Sequence, residues 1–189
     1  IKAYNNMEIR LAAWLQNDSI VDGEGIRTVI WTQGCPHNCL GCHNPTTHDF
    51  SGGFLVDIDE VVEEIKNLQG QDGITLSGGD PFCQSEACIE LCKAAHEVGM
   101  NVWCYTGFTY EAILRNKKHR ELLNYIDVLV DGKFILEEKS YDLYFRGSRN
   151  QRIIDVSESL KKERVVLVEK YIEDKDYSSS YKKPEYMFI

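Results

Sequence analysis

Ile26-Arg27-Thr28-Val29-Ile30-Trp31-Thr32-Gln33-Gly34-Cys35-Pro36-His37-Asn38-Cys39-Leu40-Gly41-Cys42-His43 is the run on which the reading of this chain turns. Its first seven residues are mostly β-branched and aromatic, which predicts a strand over 26–32. A loop follows directly, with cysteines at 35, 39 and 42 in the spacing C-x3-C-x2-C. Three thiolates this close can hold three corners of a cubane iron–sulfur cluster and leave one iron with no protein ligand. A structural zinc site wants four closed ligands, usually in two separated pairs. Spacing alone leaves three readings open: a cluster, a zinc knuckle completed by His37 or His43, and redox thiols.

Outward from that run, strands and helices alternate. Residues 57–69 carry a stripe of Ile58, Val61, Val62, Ile65 and Leu68, as an amphipathic helix does, and Asp57 and Glu60 resemble a capping pair. Gly73 to Leu76 is a short apolar strand that runs into Ser77-Gly78-Gly79-Asp80-Pro81. A helix is predicted over 84–98, stopped by Gly99. Asn101 to Tyr105 reads as a strand, Thr109 to Asn124 as helix in two pieces, and Ile126 to Val130 as a strand ending at Asp131-Gly132-Lys133. A last strand is expected over 164–168, and from Glu169 the chain is charged and rich in Tyr and Ser, as a loosely held tail would be. Residues 1–6 carry no pattern, and Met7 is a plausible native start.

Such alternation predicts an α/β fold built on a parallel sheet. In such folds the chemistry gathers at the carboxyl ends of the strands. The cysteine loop, Ser77 to Asp80, Tyr105-Thr106-Gly107 and Asp131-Gly132-Lys133 are therefore expected on one rim.

Composition sets outer bounds. The 189 residues suit a single domain spanning 1–189. No apolar run reaches the length of a membrane span and no signal peptide is visible, so no membrane association is expected. A net charge of −9 argues against general nucleic-acid binding. Seven cysteines, three of them crowded, do not suit a disulfide framework, and a reducing cytoplasm fits better.

Other features have ordinary readings. Gly78-Gly79-Asp80 could be a plain strand-to-helix turn, although two glycines admit a ligand and a carboxylate accepts from an ammonium. Cys88 and Cys92 share a helix face and read as small buried hydrophobes. Cys104 lies in a strand, His96 and His119 have no assigned role, and Cys83 is of interest because it sits near the expected rim. Arg27 points at the loop or forms a structural ion pair. Arg146 to Arg152 is a basic loop suited to a carboxylate, a phosphate or a partner chain.

Taken together these residues resemble the radical S-adenosylmethionine enzymes. Val21 to Thr28, Gly34 to Pro45, Ser77 to Pro81, Trp103 to Gly107, Asp127 to Gly132 and Arg146 to Arg152 resemble the anaerobic ribonucleoside-triphosphate reductase activating family, over about residues 8–168. Gly41 stands where many superfamily members have an aromatic residue, Asp80 where Glu is usual, and Arg149 where a small Ser is expected. The resemblance implies an incomplete (β/α) barrel, open on one side to a partner's glycine loop. It implies that Cys35, Cys39 and Cys42 hold a [4Fe–4S] cluster and that S-adenosylmethionine chelates the open iron. Gly78, Gly79 and Asp80 would receive the methionine ammonium, backbone from Gly41 through Cys42 to His43 would contact adenine, and Thr106 and Asp131 would lie near the ribose and methionine ends. An external one-electron donor such as a flavodoxin would drive C–S cleavage, and the 5′-deoxyadenosyl radical would take hydrogen from a glycine of the reductase's large subunit. Two alternatives remain: a 7-carboxy-7-deazaguanine synthase-like radical enzyme, which tends to have Trp before and Asp after the third cysteine where Gly41 and His43 stand, and a zinc-binding interaction module.

Overall fold

The computed structural model describes residues 7–172. The strands are β1 (Glu8–Leu11), β2 (Gln16–Ser19), β3 (Arg27–Thr32), β4 (Phe54–Asp57), β5 (Gly73–Gly78), β6 (Asn101–Tyr105), β7 (Val128–Asp131) and β8 (Arg152–Asp155). The α-helices are α1 (Ile58–Asn67), α2 (Ser85–Glu97), α3 (Tyr110–Arg115), α4 (Lys117–Leu123) and α5 (Val156–Lys162). All strands join one sheet in the order β4-β1-β3-β5-β6-β7-β8, with β2 also on β3.

The centre of the sheet is parallel: β3 with β5, β5 with β6, and β6 with β7. Its flanks are antiparallel, a difference from the all-parallel expectation. β1 and β2 share the free edge of β3, with Leu11 opposite Thr32 at one end and Ser19 opposite Arg27 at the other. β4 and β8 are the edges, and among the described residues no ladder joins them.

Alternation along the central strands divides the core. Val102 and Cys104 of β6, Leu129 of β7 and Ile154 of β8 face the helices, in one cluster with Ile65, Leu91, Ile113 and Leu122. Trp103, Val130 and Ile153 face the other way, where Tyr105, Phe145, Val168 and Tyr171 cover them. This is the period of two that a strand buried on both faces requires. Cys88, Cys92 and Cys104 are fully buried in the helix-side core, and burial pushes all three thiols well above the ordinary cysteine range. Cys88 and Cys92 are thus packing residues, as their helical spacing suggested.

Asp57 caps α1 by accepting from the Asp59 N–H at 2.9 Å. Asp57→Ala should lower stability by about 1 kcal/mol, read as a lower urea midpoint at unchanged slope.

The run 164–168 is not a full strand. It lies beside β8 through the Leu167–Ile154 bridge and the Val168 N–H to Ile153 carbonyl bond. The Ser159 hydroxyl accepts the Val166 N–H at 2.8 Å and so takes a donor that a longer ladder would need. Of the charged tail, Glu169 to Ile172 lie within the described residues, and Lys170 and Tyr171 are held by Glu24. The rest of the tail, and residues 1–6, fall outside the described residues.

Candidate active site at the carboxyl rim

The four expected segments do sit at the carboxyl ends of the parallel strands. The cysteine loop leaves β3, Gly78 to Asp80 leave β5, Thr106 and Gly107 leave β6, and Asp131 and Gly132 leave β7. The cysteine loop is closed at its base, where Gly34 N–H donates to Thr47 O at 2.8 Å and Cys35 N–H to His48 O at 3.1 Å. Within it, Cys42 N–H donates to Cys39 O at 3.2 Å, and Asn44 N–H points at Cys42 Sγ at 3.4 Å. Cys35, Cys39 and Cys42 are free thiols and partly exposed. Burial pushes Cys35 up to about 11.

The glycine turn is built against this loop. Gly79 N–H donates to Thr32 O at 2.7 Å and Asp80 N–H to Gly34 O at 2.8 Å. A Cβ at Gly78 would lie 2.5 Å from the Thr32 carbonyl oxygen, and one at Gly79 would collide with Gly34. The glycines therefore let the turn approach β3 itself, whereas the sequence suggested approach to a ligand. Gly41 has a different cause: its φ of 73° lies in the left-handed region, where a side chain is strained.

Asp80 is 1% exposed and its carboxylate gathers four donors. Oδ1 accepts from Phe82 N–H and from the Thr106 hydroxyl, both at 3.0 Å. Oδ2 accepts from His37 Nε2 at 2.6 Å, from the same hydroxyl at 2.8 Å and from Gly107 N–H at 3.0 Å. A carboxylate offers about four acceptor positions, so the chain's own donors fill them. Thr106, expected near a ligand's ribose, is first a support for Asp80.

Asp131 is equally enclosed. It accepts from Tyr110 N–H at 2.8 Å and from Arg152 through Nε at 3.0 Å and Nη2 at 2.5 Å. Arg152 also reaches Glu111 at 2.8 Å. Beside Asp131 and Glu111 the guanidinium is pushed above its ordinary range, and Arg152 pulls the Glu111 carboxyl down. Arg152 thus belongs to β8 and to this network, which corrects its placement in the basic loop. Arg146 and Arg149 remain on that loop.

Arg27 is corrected as well. It does not face the cysteines, and among the described residues it forms no ion pair with a carboxylate. Fully buried at the amino end of β3, it donates to Thr75 Oγ1, Glu24 O, Ile74 O and Asn101 O and lies over Trp103. Cys83 is exposed in a cleft of about 380 Å³ with Phe82, Gln84, Asn116 and His119.

Among the described residues, no three His, Cys, Asp or Glu side chains converge on a single-ion site. A zinc knuckle needs such convergence. His37 is instead turned to Asp80, and His43 packs on Phe134 with ring centroids 4.9 Å apart. A cubane asks for something else, because each thiolate takes its own iron and the sulfurs stand apart. Three accessible thiols on one short loop, with three others sealed in the core, fit that donor set.

The family profile described as a 4Fe-4S single cluster domain matches residues 21–154. The anaerobic ribonucleoside-triphosphate reductase-activating protein of Haemophilus influenzae is 35% identical over 142 residues, covering 71% of this chain and 90% of that protein. This chain belongs to that activating family. The protein of the same name from Escherichia coli K12 is 32% identical over 141 residues, covering 70% and 90%, and that of phage T4 is 34% identical over 140 residues, covering 70% and 86%. A crystal structure of QueE from Escherichia coli aligns with 56% of this chain and 55% of its own at 15% identity and a TM-score of 0.46. As an activating-family member, this chain is a radical S-adenosylmethionine oxidoreductase whose cofactors are a [4Fe–4S] cluster and S-adenosylmethionine. Among the described residues no helix is long and apolar enough to cross a membrane.

Proposed function

We propose that this chain activates an anaerobic ribonucleoside-triphosphate reductase by generating a glycyl radical in its large subunit. The observation that carries the proposal is the placement of Cys35, Cys39 and Cys42, accessible at the end of β3 and hydrogen-bonded through their loop to the Gly78-Gly79-Asp80 turn. In this reading the three cysteines hold the cluster. When bound, the cluster would supply the one electron for reductive cleavage of the sulfonium C–S bond of S-adenosylmethionine, and that cleavage would provide the means to abstract a hydrogen atom from the partner's glycine.

The chain's own residues bind and orient. Backbone from Gly41 to His43 contacts the adenine. The turn at Gly78 and Gly79 receives the methionine ammonium, whose charge the buried Asp80 carboxylate offsets. Thr106 and Asp131 stand near the ribose and methionine ends, Thr106 by fixing Asp80 and Asp131 by fixing Arg152. The sheet curves as an incomplete (β/α) barrel, open where the partner's glycine loop enters. An external donor such as a flavodoxin supplies the electron, in the reducing cytoplasm. Leu40, 74% exposed between the second and third cysteines, and Leu136 beside Gly41 offer apolar surface there.

The test is product analysis. Anaerobically reconstituted protein with S-adenosylmethionine and a chemical reductant should yield 5′-deoxyadenosine and methionine. A colourless zinc protein that yields neither would end the proposal.

Arg149, exposed on the loop before β8, is assigned to the partner. Arg149→Glu should slow glycyl-radical formation in the reductase by about tenfold, in line with loss of an interface charge. It should leave partner-free cleavage of S-adenosylmethionine unchanged. Complex formation should also become less sensitive to salt, because such charges act mainly on association. A parallel fall in both products would place Arg149 with the cofactor instead.

A further inference from the structure

We infer that His37 is a positioning residue for the cluster loop and acts through Asp80, so that the Gly-Gly-Asp turn serves the cysteines as well as the ligand. The inference rests on the function proposed above and goes beyond it, since His37 has no part in that reading.

His37 lies between the first two cysteines, and its ring reaches across to the turn after β5. Its ring Nε2 lies 2.6 Å from Asp80 Oδ2. An ionised carboxylate only accepts, so Nε2 carries the proton and donates. A single side chain thus ties the cysteine loop to the carboxylate at the end of β5.

The surroundings hold this link in place. The His37 side chain is 6% exposed and that of Asp80 is 0% exposed. Phe108 packs edge-on against the imidazole with centroids 4.5 Å apart. At Gly107 a Cβ would come within 2.7 Å of His37 Cγ and Nε2, so the chain after β6 leaves room for the ring and for nothing larger. Asp80 is itself fixed by Phe82 N–H, Gly107 N–H and the Thr106 hydroxyl. The support under Cys35 is therefore built from the ends of β5 and β6, not from the loop alone. Its four donors fill the acceptor positions of Asp80, which leaves the carboxylate no position for a ligand's ammonium except by exchange. Asp80 then acts on S-adenosylmethionine mainly by placing the cluster loop.

Groups that orient a metal's ligands typically change affinity or activity by about 10–100-fold when removed. Hydrogen bonds to a cluster's sulfurs also set its reduction potential.

The experiment uses the anaerobically reconstituted holoprotein and five variants: His37→Ala, Asp80→Ala, the double variant, Gly107→Ala and His37→Gln. Two readouts are taken, S-adenosylmethionine affinity by calorimetry and the reduction potential of the cluster. His37→Ala and Asp80→Ala should each weaken S-adenosylmethionine binding by about tenfold, and the double variant should lose no more than either single change. Both should shift the potential, because a displaced loop changes the hydrogen bonding and solvent exposure of the cluster's sulfurs. Gly107→Ala, which displaces the ring without changing its chemistry, should move both readouts in the same direction. His37→Gln, whose amide can still donate to Asp80, should restore most of the loss. Additive losses, or wild-type affinity and potential in His37→Ala with a loss in Asp80→Ala alone, would overturn the inference and leave Asp80 as a direct contact of the ammonium. Wild-type protein that takes up no iron would overturn the proposed function itself, a result distinct from either.

Discussion

Cys35→Ala, Cys39→Ala and Cys42→Ala are each expected to abolish S-adenosylmethionine cleavage, while Cys88→Ala and Cys92→Ala retain it. Wild-type protein reconstituted without oxygen should hold about four irons with matching sulfide, the cubane stoichiometry. The asymmetry among the cysteines follows from where the fold puts them. The first three lie partly exposed on the loop after β3, with no disulfide. Cys88 and Cys92 are sealed between α2 and the sheet, where burial holds the thiols protonated. A buried thiol that stays protonated is a poor metal ligand, because the thiolate is the species that binds. Iron and acid-labile sulfide analysis of the purified variants checks this. Equal loss of iron from Cys88→Ala would show that the ligand set is drawn wrongly.

Arg152→Ala is expected to destabilise the fold by about 3–5 kcal/mol, the cost of leaving a buried charge without its partner. The charge is Asp131, whose side chain is 1% exposed against 32% for Arg152. With the guanidinium gone, Asp131 keeps only the Tyr110 N–H among the partners described above. Because Arg152 is partly solvated, water will recover some of the loss, and the lower end of that range is the better expectation. Replacing both members, Arg152→Met with Asp131→Leu, should cost less than Arg152→Ala alone, since no buried charge is left uncompensated. Urea unfolding of the three proteins decides the matter. A loss under about 1 kcal/mol in Arg152→Ala, the size of a surface pair, would mean that Arg152 is free to serve the partner after all.

Much of the central sheet was legible in the sequence. β6 begins and ends where its residues predicted, because Trp103 and Tyr105 alternate with Val102 and Cys104 and each pair has its own apolar layer to face. α1 was legible from its stripe and its Asp57 cap, and the break between α3 and α4 falls at Asn116, which ends one helix and caps the next. The antiparallel flanks were not legible. β2 reads Gln-Asn-Asp-Ser, and nothing in those residues suggests a strand; the free edge of β3 makes it one. β8 and α5 were missed for a different reason. The basic run before them drew Arg152 into a loop, although Ile153-Ile154 and the Asp155 cap, which accepts from Glu158 N–H at 2.9 Å, carried the signal.

The site divides in the same way. The cysteines, the two glycines, Asp80, Thr106 and Asp131 were expected on one rim because each stands at the end of a predicted strand, and the strand ends do carry them there. What they touch was not legible. His37 and Asp80 are 43 residues apart, and Asp131 and Arg152 are 21 apart. The parallel register of β3 on β5 brings His37 to Asp80, and the antiparallel register of β7 on β8 sets Arg152 opposite Asp131. The buried Arg27 was out of reach for the same reason, since its acceptors are mainly backbone carbonyls contributed by neighbouring strands.

The measurement that bears most directly on the account is electron paramagnetic resonance of an anaerobic ribonucleoside-triphosphate reductase mixed with the reconstituted protein, S-adenosylmethionine and reductant. The account predicts a glycyl radical on the reductase that appears only when S-adenosylmethionine is present and is absent with Cys35→Ala. A reductase that stays radical-free beside protein carrying its full complement of iron, or a radical that forms equally well without S-adenosylmethionine, would contradict it.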